Sequence, residues 1–196
     1  FPIVGIGASA GGLEAFTALL QHLPLDTGMA FVLVQHLSPS HKSMLTDILS
    51  KKSAMPVIEV TDGMSVVPDH VYVIPPNTSM CISEGVLHLQ PRSDFPEQQN
   101  MPIDFFLSSL AEHQKNKAIA VILSGTASDG SLGVKMVKDY GGITFAQAEN
   151  TAKFDMMPKN AIATGQIDFV LAPEEIAKEL INLSRHPYVN HGEAKV

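Results

Sequence analysis

The chain has one cysteine, no tryptophan and three tyrosines in 196 residues. A lone thiol cannot close an internal disulfide, which fits a reducing compartment. Cys81 lies in the apolar stretch Met80-Cys81-Ile82 and reads as a packing residue. Basic side chains are also scarce: 13 Lys and Arg face 20 Asp and Glu, for a net charge of −7, and no basic run occurs. That balance argues against a nucleic-acid partner. No apolar stretch approaches the ~20 residues of a membrane span. Phe1-Pro2 leads into the first strand with no charged leader pattern, so a cytoplasmic protein without membrane insertion is expected.

What is present is a pattern of short β-branched runs alternating with amphipathic stretches, as in a parallel sheet covered by helices on both faces. Hydrophobic residues make up 45% of the chain, enough for a sizeable core in one domain. Strands are expected at Ile3–Ile6, Met29–Val34, Pro56–Val60, His70–Ile74, Ala118–Leu123, Ile143–Ala146 and Asp168–Leu171. Helices are expected from Gly11, with Leu13, Phe16, Leu20 and Leu23 on one face, and after a Ser38-Pro39-Ser40 cap, with Met44, Leu45, Ile48 and Leu49 inward. Others span Ile103–Gln114, Ser131–Asp139 and Pro173–Leu183. The link between Val60 and His70 is too short for a crossover helix, so an antiparallel excursion is expected in the middle, with Met80–Ile82 and Val86–Leu89 as a hairpin. Gln90–Pro102 reads as a surface loop, and 185–196 as a tail or linker after a domain of residues 1–184.

Ser9 carries the first chemical signal. It sits in Gly7-Ala8-Ser9-Ala10-Gly11, a G-x-S-x-G pentapeptide between a strand and a helix. Small flanking residues allow a sharp turn that lifts a serine hydroxyl to the sheet edge, beside helix N–H groups that favour a developing oxyanion. Two other readings compete. Gly5-x-Gly7-x-x-Ala10 also fits a dinucleotide fingerprint, but the second strand ends in Gln35-His36 where an acid would bind ribose. Alternatively, Ser9 simply occupies a glycine-rich turn.

His36 closes the second strand, and Asp129 lies in Ser124-Gly125-Thr126-Ala127-Ser128-Asp129-Gly130 after the Ala118–Leu123 strand. In open α/β sheets ligands bind beyond the carboxyl ends of the strands. A serine nucleophile needs a base near neutrality, and the imidazole needs a carboxylate to fix its tautomer. Taken singly, His36 also reads as a core histidine satisfied by a carbonyl, and Asp129-Gly130 as a turn and N-cap. A metal site at His36 and His41 is disfavoured, because the Ser-Pro-Ser break keeps them off one helical face and no carboxylate or thiolate cluster accompanies them. No metal and no cofactor are expected.

These residues, together with Pro39, Asp62-Gly63, Pro102-x-Asp104 and Met157-Pro158-x-x-Ala161, resemble the catalytic domain of CheB-type protein-glutamate methylesterases from about Pro2 to Leu183. The Ser, His, Asp order departs from that of α/β-hydrolases. The resemblance implies a doubly wound, mostly parallel sheet with helices on both faces and a small antiparallel hairpin. It also implies hydrolysis of glutamate methyl esters on a methylated receptor protein, with glutamine deamidation in some members. Ser9, His36 and Asp129 take the roles of nucleophile, base and orienting acid, and Ala10 and Thr126 fall in the oxyanion and substrate loop. Ala10 stands where the family often has Thr, and Thr126-Ala127 where it has Met-Gly. Those departures keep open a non-catalytic sensory or binding module. The Thr126 form of the loop resembles versions joined to a methyltransferase, so fused or separate methyltransferase and sensory domains are implied partners.

Overall fold

The computed structural model describes residues 1–36, 44–91 and 101–190, with the side chains of 189 and 190 excepted. Its elements run β1 (Ile3–Ala8), α1 (Gly12–Gln21), β2 (Ala30–Gln35), α2 (Leu45–Ser50), β3 (Val57–Glu59), β4 (Met64–Ser65), β5 (Val71–Val73), β6 (Thr78–Ser83) and β7 (Val86–Pro91). They continue through α3 (Pro102–Gln114), β8 (Ala118–Ile122), α4 (Ser131–Asp139), β9 (Ile143–Gln147), α5 (Met156–Ala163), β10 (Phe169–Leu171), α6 (Pro173–Ser184) and α7 (Pro187–Asn190). Seven strands form one sheet in the order β10-β9-β8-β1-β2-β5-β3, every pair parallel. A second, antiparallel sheet has the order β4-β7-β6. The doubly wound class with a small antiparallel unit is therefore the observed one.

Alternation along the central strands divides the core. On one face Ile3, Ala30, Val32, Val34, Ala118, Ala120 and Ile122 pack against Phe106, Leu107 and Leu110 of α3. On the other, Val4, Ile6, Phe31, Leu33, Ile119 and Val121 meet Phe16, Leu19 and Leu20 of α1 and Ile176 and Leu180 of α6. Each such Val, Leu, Ile or Phe side chain, fully buried, contributes roughly 1.5–3 kcal/mol, so the two layers together hold β1 at the centre.

Several expectations need correction. Val57–Glu59 and Val71–Val73 pair parallel, with no helix between them. The chain crosses instead through β4, which joins the hairpin of β6 and β7. Leu13, in the first turn of α1, is exposed, while Phe16, Leu20 and Leu23 are buried as expected and Leu19 joins them in the core. In α2 only Leu45 and Leu49 are buried, while Met44 and Ile48 are exposed. Gln90 and Pro91 extend β7 rather than opening a loop. The rest of that loop up to residue 100, the Ser38-Pro39-Ser40 cap and His41 lie outside the described residues. Helix α5 was not expected. Its Pro158 sits in the first turn, where a missing N–H breaks no intrahelical bond. Beyond Arg185, α7 forms one turn whose Tyr188 hydroxyl donates to the Gly141 carbonyl at 2.8 Å. Among the described residues no helix is long and apolar enough to cross a membrane.

Candidate active site

Strand register brings the first two candidates together. Ala8 pairs with Gln35, so Ser9 and His36 are the next residues out of adjacent strands, and the His36 N–H donates to the Ala8 carbonyl at 2.9 Å. Parity puts them on one face: Ser9 follows Ile3, Gly5 and Gly7, and His36 follows Ala30, Val32 and Val34, the set turned toward α3. On the other side of β1, Gly7 pairs with Ile122, and the Ser9 N–H donates to the Ser124 carbonyl at 3.0 Å. The carboxyl ends of β2, β1 and β8 thus deliver His36, Ser9 and the Ser124 loop side by side.

Gly11 ends the Ser9 turn with φ 73°, a left-handed backbone that favours glycine, and caps α1. The Ser9 carbonyl accepts from the Gly12 N–H at 2.9 Å. Ser9 itself is only 7% exposed. Its Oγ accepts a hydrogen bond from the Thr126 N–H at 2.9 Å. Among the described residues it makes no hydrogen bond to His36, so Oγ stands on the backbone donor rather than on the imidazole. Because Oγ is the acceptor there, its own proton is uncommitted to Thr126.

The Thr126 donor is placed from several directions. A Cβ at Gly125 would lie 2.5 Å from Ser9 Oγ and 2.8 Å from Met157 Cε, so glycine is what lets this loop close over the serine. The Gly125 N–H donates to the Phe154 carbonyl at 2.9 Å, and the Gly125 carbonyl accepts from the Met157 N–H at 3.0 Å. Ala127 adopts φ 65°, with its carbonyl held by Asn160 Nδ2 at 2.9 Å. Ser124 Oγ donates to the Ala10 carbonyl at 2.8 Å and accepts from the Phe154 N–H at 3.0 Å, tying the serine turn to the α5 approach. The Ala10 N–H meets no acceptor among the described residues.

Asp129 is fully buried. Its Oδ2 lies 3.1 Å from His36 Nδ1 and accepts from the Ile103 N–H at 3.0 Å, while Oδ1 accepts from the Asp104 N–H at 2.9 Å. An imidazole that gives its Nδ1 proton to a carboxylate keeps the Nε2 lone pair for a base. The His36 side chain is 31% exposed, so that nitrogen is reachable. Sequence reasoning therefore named side chains that do converge, but it missed what holds them. Asp104, Ser124, Asn160 and Met157 escaped notice as parts of the site. Asp104, Ser124 and Met157 did carry a signal, as members of the short motifs on which the family resemblance rests, whereas Asn160 carried none.

Comparison with known proteins follows the same lines. Residues 4–180 match the family model for CheB methylesterase. The protein-glutamate methylesterase/protein-glutamine glutaminase 2 of Burkholderia pseudomallei (strain 1710b) is 39% identical over 184 residues, covering 93% of this chain and 53% of that protein. The corresponding Thermotoga maritima protein is 35% identical, covering 92% of this chain and 54% of the relative. The chain thus spans about half the length of these relatives. The crystal structure of the Thermotoga maritima CheB methylesterase catalytic domain superposes with a TM-score of 0.84 at 34% identity, covering 93% of this chain and 98% of that one. By sequence and by structure, this chain belongs to the CheB methylesterase family.

Proposed function

We propose that residues 1–184 form a serine hydrolase that removes methyl groups from glutamate methyl esters on a methylated receptor protein. The observation that carries this reading is the linked set of Asp129 on His36 Nδ1, His36 beside Ser9, and Ser9 Oγ on the Thr126 N–H. The names of the relatives, which couple methylesterase with glutaminase, supply the substrate class. Glutamine deamidation at the same site is the companion reaction, since ester and amide carbonyls demand the same nucleophile and the same oxyanion donors.

Attack begins when rotation of Ser9 about its Cα–Cβ bond brings the hydroxyl toward His36 Nε2. The imidazole takes the proton as Oγ bonds to the ester carbon. Asp129 stabilises the imidazolium. The carbonyl oxygen gains negative charge, and the Thr126 N–H, already 2.9 Å from Oγ, is the donor at hand, with the Ala10 N–H as second donor. Collapse expels methoxide, which takes the proton from His36 and leaves as methanol. A water deprotonated by His36 then attacks the acyl-enzyme, and glutamate is released with Ser9 restored.

Cytoplasmic action agrees with this assignment, because a lone thiol that closes no internal disulfide suits a reducing compartment. Fused or separate methyltransferase and sensory domains are the partners that would supply and regulate the ester.

Purified protein incubated with receptor carrying labelled methyl groups is expected to release labelled methanol, and Ser9→Ala to release none above background. Equal release by the two proteins would sink the assignment.

A further inference from the structure

Asp104 lies outside the Ser9, His36 and Asp129 set, yet it is bonded to it on both sides. Helices α3 and α4 both start without a side-chain cap of their own: Met101 caps neither backbone donor, and Gly130 has no side chain. Each takes its cap from the other. Asp129, just before α4, accepts the Ile103 and Asp104 N–H groups of α3. Asp104, in the first turn of α3, accepts the Gly130 N–H at 3.0 Å and the Gly133 N–H at 2.7 Å of α4 through Oδ1. A carboxylate accepting several helix N–H groups is strongly oriented.

We propose that Asp104 is a positioning residue for the reaction, locking the loop that carries Asp129 to α3 so that the carboxylate facing His36 cannot turn away. Oδ2 of Asp129 is shared between His36 and Ile103. Freeing Gly130, its chain neighbour, from Asp104 loosens the loop at the next residue, and the Ile103 bond that sets the carboxylate plane goes with it. The proposal rests on the serine-hydrolase reading for its kinetic consequence, but the tie between α3 and α4 stands on geometry alone.

The same residue is placed to respond to pH. Asp104 is 7% exposed and borders a cavity of about 460 Å³ with Met101, Phe105, Ser128, Ser131 and Leu132. Burial, opposed by the α4 backbone donors and reinforced by Asp129, pushes its carboxyl up to about 6. Among the described residues Asp129 is the charged group facing it, with His36 one hydrogen bond further on. Above that pH the carboxylate holds Gly130 and Gly133 with a full charge. Below it, the neutral acid is a weaker acceptor and the lock slackens.

The test uses the whole chain and a fluorophosphonate probe that labels an activated serine, with rates followed from about pH 5 to about pH 8. A second readout is the Nδ1 proton resonance of His36 in protein labelled with nitrogen-15 histidine. Asp104→Ala is expected to lose at least about tenfold in labelling rate and in kcat with KM unchanged, and to lose the His36 Nδ1 resonance while circular dichroism remains native. Asp104→Asn is a neutral acceptor at every pH, so its rate is expected to lie between those of wild type and Asp104→Ala, and to fall less than the wild-type rate between about pH 8 and about pH 5. Wild-type rates in Asp104→Ala, or a fall with acid as large in Asp104→Asn as in wild type, overturn the proposal. The second criterion holds even where the alanine variant does not fold. An unlabelled wild type would instead refute the hydrolase reading, and the His36 resonance in the three proteins would still decide whether Asp104 holds the pair.

Discussion

The turn at Ser9 is closed by its own neighbours, with the Gly12 N–H on the Ser9 carbonyl and left-handed Gly11 between them. The loop from Ser124 to Gly130 is held by groups far along the chain: Gln147 on the Ser124 N–H, Phe154 and Met157 on Gly125, Asn160 on Ala127 and α3 on Asp129. Side by side they show two ways of fixing a reactive geometry. The first is set largely by a pentapeptide, braced by Ser124 at the Ser9 N–H and the Ala10 carbonyl, and tolerates little local change. The second is a consensus of distant contacts, so its residues can vary while the donor it presents, a backbone N–H, stays in place.

The sharpest way to break this contrast is at the acid. Asp129→Asn is expected to lower the hydrolysis rate by about 10⁴-fold, since an amide favours the wrong imidazole tautomer. A loss below tenfold in a methanol-release assay would remove Asp129 from the mechanism. Next comes Gly125→Ala, whose Cβ would collide with Ser9 Oγ and Met157. Pushing the loop back by a fraction of an ångström to about 1 Å should cost roughly 10²-fold, with little change in the circular dichroism spectrum. Full activity would mean that the loop adjusts and that the close approach is incidental. The smallest effect belongs to Ala127, which holds φ 65° at a position that glycine occupies without strain. Ala127→Gly should raise stability by about 0.5–1 kcal/mol, read as a higher thermal midpoint. A lower midpoint would show that the extra freedom glycine gives the unfolded chain outweighs the backbone strain relieved at position 127.

The same division explains what could be read from the residues alone. Ile3–Ala8 and Ala118–Ile122 are continuous apolar runs, so the buried parallel strands and the polar residues placed at their ends were legible. Parity along β1 and β2 even contained the information that Ser9 and His36 share a face. The parallel pairing of β3 with β5 was not legible, because its crossover uses a two-residue strand in another sheet. Helix α5 was hidden by weak amphipathicity and by Pro158. Leu13 has the spacing of the apolar stripe, but in the first turn of α1 it is exposed while Phe16, Leu20 and Leu23 of the same stripe are buried. Asp104 stood in the Pro102-x-Asp104 motif with no role attached, and its partners, Gly130 and Gly133, stand 26 and 29 residues away. No local pattern announces such an exchange of caps.

The separation of the site's parts along the chain has a further consequence for how the molecule is made. His36 meets its carboxylate across 93 residues, and Ser9 meets the Thr126 N–H across 117. During synthesis Ser9 and His36 emerge early, but they meet Thr126 and Asp129 only once β8 has come in beside β1 and α5 has followed to hold Gly125. A nascent or truncated chain therefore carries Ser9 and His36 without the partners that the proposed mechanism requires. Under that mechanism, reactivity is a property that only the finished sheet confers.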